Sequence, residues 1–147
     1  MLQKTCCQFK HKAFFWLLLI DRLNVRGMLR RWIMHLDDYS CALCSYQGDE
    51  TIEHLFLTCL FVQACWNSIG LQANPDSAIF FMGILIIMSW TIWNSKNNLI
   101  FKNKSLSIQG AKSFFKKGFA MVIHREKPRY LLAIIHCWLD ALLLLSF

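Results

Sequence analysis

The chain has 147 residues, 56% of them hydrophobic and 17% charged, which is long enough for one buried core and too apolar for a disordered polypeptide. Sixteen Lys and Arg against nine Asp and Glu leave a net charge of +7, a surplus that suits polyanions such as nucleic acid or an anionic membrane surface without choosing between them. Seven cysteines at irregular spacing, with Cys6 and Cys7 adjacent, argue against a fully paired secreted framework and for a reducing compartment with some thiols on metal.

Lys4, Lys10 and Lys12 precede the apolar run Ala13 to Ile20, which imitates a short signal peptide. The Asp-Arg-Leu-Asn sequence that follows offers no small-residue cleavage pattern, so the chain is expected inside the cell, in nucleus or cytoplasm, and not secreted. Residues 10 to 33 are predicted helical, apolar nearly all round from Ala13 to Ile20 and therefore buried there, with a break at Asn24-Val25 before Arg26 to Trp32.

Asp37 to Ser40 and Gln47 to Asp49 are turn chemistry, placing Cys41 and Cys44 on a tight hairpin-like loop. Thr51 opens the next helix, which keeps Ile52, Leu55, Phe56, Ala64 and Trp66 on the core and kinks near Cys59. Asn74 to Ser77 is the clearest internal break, with Asp76 or Ser77 able to cap a long apolar helix that runs to about Phe101. Another helix, from about Leu106 to His124, places Ala111, Phe114, Phe115, Gly118, Phe119 and Val122 on one face and leaves Lys112 and Lys116 outside. Pro128 ends it, and Leu131 to Leu145 form a last helix. Ala78 to Trp93 and Tyr130 to Phe147 both fall short of the roughly 20 apolar residues that span a bilayer, so core helices are the better reading. The expected fold is mainly α: a small helical domain with a hairpin-like cysteine loop between helices.

Between the helices stands C-x2-C-x9-H-x4-C: Cys41, Cys44, His54 and Cys59. Two cysteines two residues apart can aim their sulfurs at one ion from a single turn, and a later His and Cys complete a tetrahedron. Thiolate and imidazole donors in a closed set of four select zinc over magnesium or calcium. The competing reading is four residues buried separately, free cysteine being among the most buried residue types. A closed set leaves no place for water, so the expected ion is one structural zinc and no enzyme is expected. Glu50 and Glu53 beside His54 are read as carboxylates favoured by the start of a helix.

Residues 9 to 70 resemble the zinc-binding domain that follows the reverse transcriptase in plant LINE-like non-LTR retrotransposons. The features occur in order: Lys10 and Lys12 before an aromatic helix with Trp16, then Arg22-Leu23, Cys41, Cys44, His54-Leu55-Phe56, Cys59 and Trp66. Trp90, Ile92-Trp93, Lys96-Asn97 and Phe101 look like a pattern found downstream in the same proteins. Phe9 and Leu60 stand where relatives commonly carry proline, and Lys96 where they carry arginine; none is a proposed ligand. The resemblance implies a reverse-transcriptase-type zinc domain over residues 9–70, with residues 71–147 as a C-terminal helical extension packing on it. It further implies binding to RNA or DNA without polymerase chemistry, and no paired-aspartate polymerase motif is present.

Arg22, Arg26 and Arg30 would form a helical row joined by Arg31, and eight basic residues lie between Lys102 and Arg129 against only Glu126. Such rows contact phosphates without reading bases, or else are solvated faces. The expected nucleic-acid face comprises Arg22, Arg26, Arg30, Arg31, Lys112 and Lys116. Trp90, Trp93, Phe80, Phe81 and Phe101 are expected in the core in preference to a base-stacking role. His11, His35, His124 and His136 lack partners at ligand spacing, and Cys65 is the spare thiol to test. Competing functions are a structural or protein-interaction domain with the same zinc, and a small membrane-associated protein; no small-molecule substrate is expected.

Overall fold

A computed structural model describes residues 7–70 and 78–125. It contains α1 (Phe9–Leu19), α2 (Arg26–Arg31), a π-helical turn (His54–Thr58), α3 (Leu60–Ser68), α4 (Ala78–Lys102) and α5 (Ile108–Arg125). The mainly helical expectation holds, and the only sheet-like pairing among the described residues is the single antiparallel bridge between Ser40 and Asp49. The break expected at Asn74 to Ser77 and the last helix, with His136, lie outside the described residues, as do the side chains of Phe80 and Phe81.

Helix ends follow local chemistry. α1 closes with Arg22 N–H on the Leu17 carbonyl and Asp21 N–H on that of Leu18, with Asp21 at φ 55°. α2 closes the same way, Met34 on Leu29 and Ile33 on Arg30, with Ile33 at φ 59°. Paired bonds around one left-handed residue satisfy carbonyls that a helix end leaves orphaned. Gly70, at φ 60°, ends α3 with the glycine such a cap ordinarily uses. Phe9 and Leu60 are the first residues of α1 and α3. That position needs no amide partner and accepts proline, so the two departures from the family pattern leave the helix starts intact.

α4 packs along α5 and against α1, while α3 packs against α5 and the π-helical turn. α4 buries Ile86, Ile87, Met88 and Ile92, and α5 buries Phe115 and Phe119, whose rings stack at 5.5 Å. A Cβ on Gly118 would sit 3.0 Å from an Ile87 methyl, so this glycine sets how closely α5 approaches α4. Phe14 of α1 contacts Trp90 and Trp93 at 5.3 and 5.8 Å, and both tryptophans are half-buried and packed against the core. No described helix is long and apolar enough to cross a membrane.

Four expectations are corrected. The run Ala13 to Ile20 is not buried all round: α1 buries His11, Phe14 and Phe15 against α4 and Phe56 and exposes Trp16, Leu17, Leu19 and Ile20. Lys112 is buried, not outside, and Lys116 is half-buried, because α3 and α4 clasp α5 and widen its covered arc. Phe114 leaves the core face and is 43% exposed, and Phe101 at the end of α4 is exposed as well.

Candidate metal centre

The loop from Asp37 to Glu50 folds by short-range hydrogen bonds. Asp38 accepts from the Ser40 amide at 2.8 Å and the Ser40 hydroxyl at 2.7 Å, bonds that hold its carboxyl below the usual range. Tyr39 donates its hydroxyl to the Met34 carbonyl and accepts from the Leu36 amide, pinning the chain that leaves α2. The Ser40–Asp49 bridge then brings Cys41 and Cys44 back over the start of the next helix. Thr51 caps that helix, its hydroxyl accepting from the His54 amide at 3.0 Å.

After His54 the helix widens into the π-helical turn and stops, so the expected kink is a full break. Cys59 is extended at φ −61°, ψ 129° and stands at the N-cap of α3. Trp66 of α3 donates its indole N–H to the Phe56 carbonyl at 3.0 Å, satisfying an acceptor in the widened turn. The break rotates Cys59 back toward His54, which a continuous helix would not do.

The four expected ligands converge. Their Sγ and imidazole nitrogen atoms all lie within 4.8 Å of one another, and no other such His/Cys/Asp/Glu group occurs among the described residues. Cys41 Sγ and Cys59 Sγ are 3.9 Å apart, and Cys44 Sγ lies 3.3 Å from His54 Nε2. A tetrahedral zinc with ordinary bond lengths has S–S edges of ~3.8 Å and S–N edges of ~3.5 Å, so the donor set fits the ion. Cys41 and Cys59 are buried and Cys44 and His54 half-buried, and four protein donors around one point are the pattern of a structural site. Cys65 is fully buried but outside the cluster; it is not a fourth sulfur.

Electrostatics around the sulfurs favour a cation. Burial pushes the Cys41 thiol up to about 12 and raises Cys59 too, although the amides of Val62 and Phe61 at the start of α3 pull Cys59 the other way. Buried thiols crowded together are poorly accommodated as bare anions, and a divalent ion resolves this by neutralising them. Leu43 N–H also points at Cys41 Sγ at 3.4 Å.

His54 is held on two further sides. Its Nδ1 lies 3.2 Å from the Thr58 hydroxyl, one helical turn on, so Nε2 is the nitrogen turned to the sulfurs. Tyr46 stacks on the imidazole with centroids 4.4 Å apart and planes 19° apart. A Cβ at Gly48 would approach the Tyr46 ring to 2.6 Å, so glycine there lets the ring lie flat. Second partners of this kind fix ring orientation and ligand basicity.

One residue pair escaped sequence reading. Glu50 is not a solvated carboxylate at a helix start: it is wholly buried and salt-bridged to Lys96 of α4, itself 3% exposed. The other Glu50 contacts are the Arg26 amide at 3.1 Å and the Ala42 amide at 3.4 Å, while its carbonyl accepts from Gly27 at 2.9 Å. A Cβ at Gly27 would meet that carbonyl at 2.5 Å, which explains the glycine. Lys96, lowered by burial and partly restored by Glu50, therefore ties α4 to the metal loop. The only sequence signal was its place in the downstream pattern.

The expected arginine row is dispersed, because the chain turns at Asp21 to Val25. Arg26 donates to the Ser40 carbonyl at 3.0 Å and faces Asp38 at 3.6 Å. Arg30 bonds both Asp49 oxygens at 2.8 and 2.9 Å and lies over the Tyr39 ring. Both brace the loop. Arg22 and Arg31 are exposed.

A zinc-competent Cys3His cluster set on a helical scaffold agrees with what known proteins show. Residues 1–66, which contain all four ligands and Trp66, match the family model described as zinc-binding in reverse transcriptase. Over those residues the chain is similar to that zinc-binding family. No curated protein and no solved structure matches the chain. The family match ends before α4, so Lys96, which completes the support of the zinc loop, comes from outside it.

Proposed function

We propose that the protein is an intracellular nucleic-acid-binding module, derived from the C-terminal part of a retrotransposon reverse transcriptase and organised by one structural zinc. In this reading residues 71–147 are a helical extension of the zinc domain, and neither part carries out catalysis. The observation that carries it is how charge is distributed. Asp38, Asp49 and Glu50 are consumed inside the zinc loop by Arg26, Arg30 and Lys96. Exposed Arg22, Arg31, Lys102, Lys104 and Lys117 make no ion pair among the described residues. Positive charge without local partners is what phosphate contacts require. The half-buried Lys116 can join that surface through its stem, whereas Lys112 does not belong to it.

The test is the combined change Arg22→Gln, Arg31→Gln and Lys117→Gln, with binding to RNA and DNA of several sequences measured across salt. Binding should weaken for every sequence, and the log–log salt slope should flatten by about 0.7–0.9 for each phosphate that is no longer neutralised. Zinc content and helicity should stay unchanged. Arg26 and Arg30 are unsuitable targets because they hold the loop itself.

A second reading, a protein-interaction domain with the same zinc, draws on exposed Trp16, Leu19, Trp32, Ile33 and Met34. Unaltered nucleic-acid binding in the triple variant, or none at low salt, selects it.

A further inference from the structure

Where the chain passes from α4 to α5 lies a pocket of about 190 Å³ lined by Asn94, Asn98, Lys104, Ser105, Ser107 and Phe114 among others. Asn103, at φ 50°, turns the chain so that Lys104 N–H reaches the Asn98 carbonyl at 3.1 Å, which fixes the pocket floor. Its walls are largely apolar, and the amides and hydroxyls of Asn94, Asn98, Ser105 and Ser107 are set among them.

The polar groups divide into those already engaged and those available. Asn94 spends its amide N–H on the Trp90 carbonyl and keeps its oxygen available. Ser107 accepts from the Gly110 amide, and its carbonyl takes the Ala111 amide, so these α5 amides are satisfied within the fold. The Asn98 amide, the Lys104 ammonium and the Ser105 hydroxyl have no hydrogen bond or ion pair among the described residues. Phe114, the residue that left the core face, is 43% exposed at the pocket wall.

From this geometry we infer that the pocket receives one unpaired nucleobase of a bound single strand; the inference rests on the nucleic-acid reading above. Whole drug-sized ligands need roughly 300–1,000 Å³, so a recess of this size suits one planar ring with its sugar and phosphate outside. Phe114 supplies a stacking face. Asn98 offers a donor and an acceptor side by side, the pairing that matches the N6–N7 edge of adenine. Lys104, with exposed Lys102 nearby in sequence, meets the flanking phosphates.

The experiment uses the full zinc-loaded chain and fluorescence anisotropy at one salt concentration, with a ten-nucleotide oligoadenylate and an abasic strand carrying the same number of phosphates. Oligoadenylate should bind more tightly, and Phe114→Ala should weaken it roughly 5- to 100-fold while leaving the abasic strand unchanged. Asn98→Ala should narrow the preference for oligoadenylate over oligouridylate. Phe114→Leu, which keeps the apolar volume, controls for folding and should behave like the alanine variant, with zinc content and helicity intact in each. Equal affinity for the abasic and adenine strands overturns the inference, as does full oligoadenylate binding by Phe114→Leu. If the Arg22, Arg31 and Lys117 changes weaken binding while the Phe114 changes do not, the basic surface stands and the pocket proposal fails. Absence of binding to every strand at low salt removes both.

Discussion

The zinc loop and the α4–α5 pair reach order by different means. α4 and α5 bury aliphatic and aromatic side chains along their length, and Phe115, Ile86, Ile87, Met88 and Ile92 are each at most 1% exposed. Residues 37 to 50 bury little apolar surface beyond Cys41 and Leu43, and hold their shape through hydrogen bonds, ion pairs and the four ligands. One region is stabilised by a term that grows with area, and the other by a few directed contacts that fail together. Glu50–Lys96 is where the two depend on each other.

Removing the metal should separate the regions most strongly. Zinc binding of this kind contributes on the order of 10 kcal/mol to folding at neutral pH, so Cys44→Ser should abolish stoichiometric zinc and unfold the loop. Cys65→Ser should retain zinc despite that side chain's burial. Metal analysis with amide exchange checks both: exchange should rise throughout residues 37–59 and least in α4 and α5. Equal damage from the two serines would show that burial alone holds the loop.

Breaking the link between the regions comes next. Lys96→Met leaves Glu50 buried without its cation and should cost about 3–5 kcal/mol, read from the denaturant midpoint. Adding Glu50→Gln should recover part of that loss, because the uncompensated charge is gone. Lys96→Met should also weaken zinc retention if α4 supports the loop as described.

A finer change stays inside the metal site. Thr58→Val removes the hydroxyl beside His54 Nδ1 and should lower zinc affinity roughly 10- to 100-fold in a chelator competition. Helicity should not move, since Thr58 is exposed.

The helical side has its own sensitivity, to acid. His11 is buried against Trp90, its Nδ1 has no partner, and burial with nearby Lys10 and Arg125 lowers it to about 4 from 6.5. The unfolded chain therefore binds the proton first as pH falls. Stability from this group is intact above about 6.5 and declines toward about 4, with a slope of at most ~1.4 kcal/mol per pH unit. His11→Phe should remove that slope from the stability profile between those values. The smallest effect is expected at Ile33, a β-branched residue in the left-handed region and 82% exposed. Ile33→Asn should raise stability by about 1 kcal/mol in the same denaturation assay, because asparagine tolerates that backbone.

Much of the helical fold was legible because its signals are local. α4 and α5 follow from apolar runs and spacing, Thr51 from its capping chemistry, and the metal site from two short ligand pairs around a polar loop. The α1–α2 break was placed slightly late, because Asp21 closes α1 where a glycine would ordinarily announce the end. Burial was the harder inference. Lys112 and the outward side of α1 could not be assigned from periodicity, since a helix pattern shows where apolar residues lie but not how many neighbours cover them.

By itself the sequence determined the donor set and its preference for zinc, because ligand identity and short spacing are properties of nearby residues. It also determined the helices that carry those donors, through periodicity and caps. Only the tertiary structure decided that Glu50 belongs to Lys96, 46 residues away, and that Arg26 and Arg30 serve the loop. The same holds for Phe114, which lines the α4–α5 pocket instead of the core. A charged or aromatic side chain looks the same in sequence whether it faces water or a partner; its role is set by what the fold brings against it, through contacts that leave no local periodicity.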